Sequence, residues 1–225
     1  MKSEEAVAGR PTLDSMPRTP RLQLAGGTFH VTARGNRRQQ IFLDAQDHLG
    51  LLSLLDELAR RRGWRAYGYC LMPNHYHLVV ETPSPDLSIG MQWLNGRFAQ
   101  AFNHRHAHDG HLFQGRFHSL LVESDWHLLE LSRYLSRNPV KAGLCKHPRE
   151  WPWSSYAAVA GLEPPRACLV PDRILAPFGR TPAAARRRFE EFVNDRGQVL
   201  AGHFRGLTPD MAGLAADVGA WEAVG

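Results

Sequence analysis

Between Thr28 and Arg34 apolar and polar side chains alternate strictly, Phe29, Val31 and Ala33 against His30, Thr32 and Arg34. A period of two is that of a half-buried strand. Gly35-Asn36-Arg37-Arg38 follows as a basic turn. The period then lengthens: Asp44 and Asp47 mark a helix start, and Leu49, Leu52, Leu55, Leu58 and Ala59 recur at helical spacing as far as Gly63. Alternation returns in Trp64–Met72 and His75–Thr82, two strands joined by a tight turn at Pro73-Asn74. Pro83 and Pro85 precede a second helix with the stripe Leu87, Met91, Leu94, Phe98, Ala101 and Phe102, which fades into the histidine-rich stretch 104–111. Arg116–Val122 reads as a fourth strand, and Ser124-Asp125 caps a third helix running to about Asn138.

Strand, helix, strand, strand, helix, strand is the order of a split βαβ unit. It predicts an α+β, ferredoxin-like fold: an antiparallel sheet with two helices on one face, and the third helix available to cross the other. Trp151-Pro152-Trp153-Ser154-Ser155-Tyr156 reads as an aromatic clasp, residues 163–171 as a proline-rich linker, and Pro182 to about Asp195 as a short amphipathic helix. Residues 1–20 are polar and lack periodicity, which predicts a disordered tail. This divides the chain into a tail (1–20), one main domain (21–160) and a linker with a helical C-terminal extension (161–225). The pattern is not legible beyond about Ala201.

Composition narrows the class. In 225 residues, 43% hydrophobic and 22% charged side chains are ordinary for a globular protein, and the formal charge of +5 permits a polyanionic partner. Cys70, Cys145 and Cys168 are odd in number and form no C-x-x-C, as expected of reduced, buried thiols. No apolar run is long enough to span a bilayer and the N-terminus has no signal-like apolar core, so a cytoplasmic protein with no membrane partner is expected.

Candidate chemistry lies on the third strand. His75 and His77 project from one face about 7 Å apart, close enough to share a divalent ion if a third ligand arrives from elsewhere. On the third helix Tyr134 and Asn138 lie one turn apart on one face. If that helix crosses the sheet, the Asn138 amide oxygen joins the two imidazoles, a set that suits Mg²⁺ or Mn²⁺ with phosphate oxygens bound, although imidazole also suits Zn²⁺. Taken singly, each residue has a plainer reading: surface histidines, a core tyrosine, and a helix-terminal asparagine before Pro139.

Taken together, residues 29–156 closely resemble the single-tyrosine HUH transposases, in particular their REP-associated branch. The likeness rests on Met72-Pro73-Asn74-His75-Tyr76-His77, on Phe113-Gln114-Gly115-Arg116-Phe117, on Tyr134-Leu135-Ser136-Arg137-Asn138-Pro139-Val140-Lys141-Ala142-Gly143-Leu144, and on the Trp151–Tyr156 clasp. The resemblance makes 21–160 an HUH endonuclease domain. It implies single-stranded DNA cleavage and rejoining through a covalent 5′-phosphotyrosine, with Tyr134 as nucleophile and His75, His77 and Asn138 as metal ligands. It further implies a single-stranded or hairpin DNA partner, association with the nucleoid, and either a monomer or a homodimer. His30, Arg34, Arg37, Arg38, Gln114 and Arg116 are candidate DNA contacts, His127 a bystander near the tyrosine, and Arg60-Arg61-Arg62 a solvated face. Arg186-Arg187-Arg188 is a further possible backbone contact. The rival readings are a domesticated hairpin-binding protein that does not cut, an RNA-binding sheet, and a hydrolase in which water replaces Tyr134.

Overall fold

The computed structural model describes residues 24–195; the expected N-terminal tail and the stretch beyond 195 lie outside it. Four strands, β1 (Gly27–Arg34), β2 (Arg65–Met72), β3 (His75–Thr82) and β4 (His118–Leu121), form one antiparallel sheet in the order β2-β3-β1-β4. This is the ferredoxin-like arrangement that the element order predicts. Helices α1 (Ala45–Arg62) and α2 (Leu87–His106) cover one face and α3 (Asp125–Lys141) crosses the other at β2. Three shorter helices follow, α4 (Tyr156–Val159), α5 (Asp172–Leu175) and α6 (Pro182–Asn194).

The two faces of β1 and β3 explain the layers. Phe29, Val31, Ala33, Tyr76, Leu78 and Val80 point at α1 and α2 and are buried. Asp44 caps α1, its carboxylate accepting from the Gln46 and Asp47 amides at 2.8 and 3.2 Å. The buried stripe of α1 runs through Leu51, Leu52, Leu55 and Leu58; Leu49, expected inside, is 47% exposed. Residues 104–106 continue α2 instead of dissolving into a loop. Arg105 and His106 both reach the buried Asp47 carboxylate, which binds the end of α2 to the start of α1.

Two boundaries differ from the sequence expectation. The fourth strand begins at His118, because Phe113 and Phe117 turn inward and the chain bends between them, leaving Arg116 in a loop. The third helix continues past Pro139 to Lys141 and ends at Gly143, whose φ is +72°. Proline there sacrifices only its own amide bond, and the Ala142 amide still reaches the Asn138 carbonyl at 2.9 Å.

The segment read as clasp and linker closes the sheet. The Leu71 amide donates to the Trp153 carbonyl at 2.8 Å, the Ser155 amide to Tyr69 at 3.0 Å, and the Ala66 amide to Cys168 at 2.8 Å. These bonds occupy the outer edge of β2, which would otherwise present unpaired groups for aggregation. Trp153 stacks on His48, and His48 on Phe42, at 4.2 and 4.4 Å between ring centroids. Asp56 on α1 holds the linker through Arg166 at 2.6 Å and the Cys168 amide at 3.0 Å. Among the described residues no helix is long and apolar enough to cross a membrane.

Candidate active site

The β1–β3 register sets the site. Arg34 pairs with His75 and Thr32 with His77, so the polar end of β1 lies beside the two histidines. Leu135 of α3 rests over Gly68 of β2, where an added Cβ would already touch it at 3.4 Å. From that seat the helix carries Tyr134 and Asn138 over β3. The Tyr134 ring meets His77 edge-on, centroids 5.6 Å apart and planes at 88°. Asn138 Nδ2 stands 3.2 Å from His77 Nε2. His75 lies 5.0 Å from His77, ring to ring. Residues sixty positions apart in sequence thus converge within one side-chain length.

Each histidine has a partner at its inner nitrogen. His75 Nδ1 donates to Asn74 Oδ1 at 2.7 Å, which leaves the Nε2 lone pair available. His77 Nδ1 is 3.1 Å from His30 Nε2. Burial pushes His75 down to about 4, helped by the charge of Arg34. It pushes His77 well below the ordinary histidine value, with His30, His75 and Arg34 adding to the effect, and His30 to about 3, with His127 second. All three rings are therefore neutral at pH 7, the form that binds metal.

The donors fit a divalent ion. The Asn138 amide already stands 3.2 Å from His77 Nε2, so the two groups are near enough to serve one ion. A flip of the amide exchanges its nitrogen for Oδ1 without moving the helix. Two imidazoles and an amide oxygen are a donor set that would suit Mn²⁺ or Mg²⁺, and imidazole also suits Zn²⁺. Among the described residues no group of three or more His, Cys, Asp or Glu could hold a metal, the histidines at 104–111 included.

The expected DNA contacts divide into three groups. Arg34 belongs to the site: burial and then the Arg38 charge lower its pKa, and the nearby Tyr134 opposes them. His30 is 2% exposed, so it faces His77 rather than solvent, and the expectation of a DNA contact at that position is corrected by its burial. Arg37 and Arg38 are exposed on the turn beside the site. Gln114 and Arg116 are exposed on the loop before β4, around the rim, where with Asn36, Gln92, Asn95 and Phe113 they line a cleft of about 770 Å³. The basic runs farther away are partly engaged: Arg61 pairs with Glu57, Arg62 with Asp86, and Arg188 donates to the Phe178 carbonyl.

The sequence placed Asn74 in the turn and in the family motif, but its side-chain contacts were not foreseen. Its Nδ2 donates to the Arg38 carbonyl at 3.1 Å while its Oδ1 accepts from His75 Nδ1 at 2.7 Å. Arg37 and Arg38 both have positive φ, 53° and 60°, a costly conformation for two successive non-glycine residues. The Pro73-Asn74 turn holds it, through the Asn74 amide group and through the Gly35 amide donating to the Asn74 carbonyl at 2.8 Å. Gly35 also lets the turn close on itself, since a Cβ there would lie 2.1 Å from the Gln39 carbonyl oxygen. Gly35→Ala is expected to cost about 1–3 kcal/mol by displacing the basic turn, measured as a lower urea midpoint at unchanged slope. An unchanged midpoint would show that the turn relaxes freely.

Comparison with known proteins identifies the family. Residues 24–138, just over half the chain, match the family model described as "Transposase IS200 like". The chain is 28% identical to a putative REP-associated tyrosine transposase of Haemophilus influenzae over 98 residues, 39% of this chain and 56% of that protein. It is 23% identical to the REP-associated tyrosine transposase of Escherichia coli K12 over 138 residues, 60% of this chain and 80% of that protein. The matched region thus spans little more than half the length of the Haemophilus relative. Among solved structures, a REP-associated tyrosine transposase bound to a REP hairpin superposes with a TM-score of 0.55 at 25% identity, covering 66% of this chain and 89% of that one. The chain belongs to the IS200-like transposase family, on its REP-associated tyrosine transposase side.

Proposed function

We propose that this transposase cleaves and rejoins single-stranded DNA next to a hairpin, using Tyr134 as the nucleophile. The observation that carries the reading is the meeting of Tyr134 and Asn138 from α3 with His77 from β3, at 5.6 Å between rings and 3.2 Å between polar atoms. A core tyrosine needs no such neighbours. The hairpin substrate is supported by the solved relative, whose ligand is a REP hairpin.

His75, His77 and Asn138 would hold Mg²⁺ or Mn²⁺, which supplies Lewis-acid polarisation of a phosphate oxygen. The chain's own groups account for the rest. A phenol has a pKa near 10 and is a poor nucleophile until deprotonated. The Arg34 guanidinium, close enough to Tyr134 for their charges to interact, favours the phenolate. The phenolic proton passes to solvent, Tyr134 Oη attacks phosphorus, the P–O3′ bond breaks, and the 3′-oxygen leaves and takes up a proton from solvent. The 5′-phosphate stays on the tyrosine. A second 3′-hydroxyl reverses the step and joins new ends, with no need for ATP because the ester bond is conserved. Arg37 and Arg38 on the adjacent turn, and Gln114 and Arg116 around the rim, supply phosphate contacts along the strand.

The test is a hairpin oligonucleotide with a single-stranded flank, labelled on either side of the cut and incubated with Mn²⁺. The expected product is a protein band carrying only the fragment 3′ of the cut, with the other fragment released bearing a free 3′-hydroxyl. Cleavage without any protein-linked fragment would assign the attack to water instead.

A further inference from the structure

His30 lies beside His77 and is buried, and its geometry specifies a task. Its Nε2 is 3.1 Å from His77 Nδ1. The two ring planes are 14° apart and the centroids 5.3 Å apart. Nitrogens that close, on rings that far apart, must point almost straight at each other, so the rings lie edge to edge along one N–H···N line. At the opposite edge of the same ring, His77 Nε2 faces the Asn138 amide at 3.2 Å. The His77 imidazole is therefore held between two partners, one on β1 and one on α3.

With the Asn138 amide nitrogen facing His77, as it stands here, these two contacts set one arrangement of protons. A neutral imidazole has one N–H and one lone pair. Either the Asn138 N–H or a bound cation requires the lone pair at Nε2. The His77 proton must then be on Nδ1, where it needs an acceptor, and His30 Nε2 is that acceptor. His30 in turn keeps its own proton on Nδ1. A leucine would fill the same space in β1 without the desolvation cost of a buried imidazole, so packing alone does not account for histidine at this position.

We infer that His30 is a positioning residue for His77: by accepting the Nδ1 proton it locks the tautomer and ring orientation that present Nε2 to the Asn138 amide and to a metal. The inference rests on His77 being a metal ligand, as proposed above. It extends that reading to a residue with no contact to DNA.

Two measurements test it without any DNA. Nitrogen-15 spectra of the histidine side chains in the metal-free wild type report which nitrogen of His77 is protonated; Nδ1–H is expected, and Nε2–H would overturn the inference. Mn²⁺ titration followed by electron paramagnetic resonance then compares wild type, His30→Leu and His30→Gln. Loss of such an outer partner weakens metal binding by about 10–100-fold, and that loss is expected for His30→Leu. His30→Gln offers an amide oxygen in place of Nε2 and should restore most of the affinity. A folded His30→Leu protein that binds Mn²⁺ as tightly as wild type would overturn the inference. Should His30→Leu fail to fold, the wild-type spectrum and His30→Gln still decide: a glutamine variant as weak as metal-site mutants counts against it. If wild type itself binds no Mn²⁺, it is the metal reading that fails, and the His77 spectrum still shows whether His30 fixes the tautomer.

Discussion

Tyr134→Phe is expected to abolish strand cleavage while leaving hairpin binding intact. The ring is retained, so its edge-on contact with His77 and the packing of α3 survive; only the hydroxyl is lost. Removing the atom that forms the covalent bond should lower the cleavage rate by on the order of 10⁴-fold or more, the scale seen when a covalent nucleophile is deleted. A denaturing gel measures the rate and fluorescence anisotropy the affinity. Cleavage that persists in the variant would make the protein a hydrolase. A wild type that binds hairpins tightly and cuts none would favour the non-cutting binder.

His77→Ala should have the next largest effect, and it should act on both chemistry and stability. His77 is 3% exposed and touches His30, Asn138, Tyr134 and His75. Alanine leaves a cavity and deprives the buried His30 nitrogen of its donor. A cost of about 2–4 kcal/mol in urea unfolding is expected. Mn²⁺ binding should fall below detection, and cleavage by about 10³-fold, the loss of one strong electrostatic contact at the reacting phosphate. His75→Ala is the control. His75 is half-buried, so the same loss of metal binding should come with a smaller loss of stability. Equal metal affinity in His77→Ala and wild type would remove His77 from the ligand set.

Much of this fold was legible because its periods are clean. The alternation in Thr28–Arg34 and His75–Thr82 gave both strands and both faces, and Asp44 and Ser124 cap their helices through side-chain oxygens as their sequence positions imply. Periodicity was weaker where an aromatic or a proline competes with it. Phe113 and Phe117 both turn inward and shorten the fourth strand, and Pro139 does not stop its helix. The proline-rich linker gave no sign of pairing with β2. Its bonds through Cys168 and Val170 are made by backbone groups, and backbone groups leave no trace in composition.

The site was legible in part, and the division follows from the reach of local rules. His75 and His77 share a face because strand geometry requires it, and Tyr134 and Asn138 share one because helix geometry does. Sequence spacing therefore determined each pair, along with the family motifs around them. Whether the two pairs meet depends on where α3 crosses the sheet, and Leu135 seated over Gly68 marks that place. The same holds for burial. His30 and Arg34 alternate alike on β1, yet one is buried against His77 and the other stands half-buried beside His75. Periodicity assigns a side chain to a face, but only the element packed on that face determines whether it meets water, a histidine or a strand of DNA.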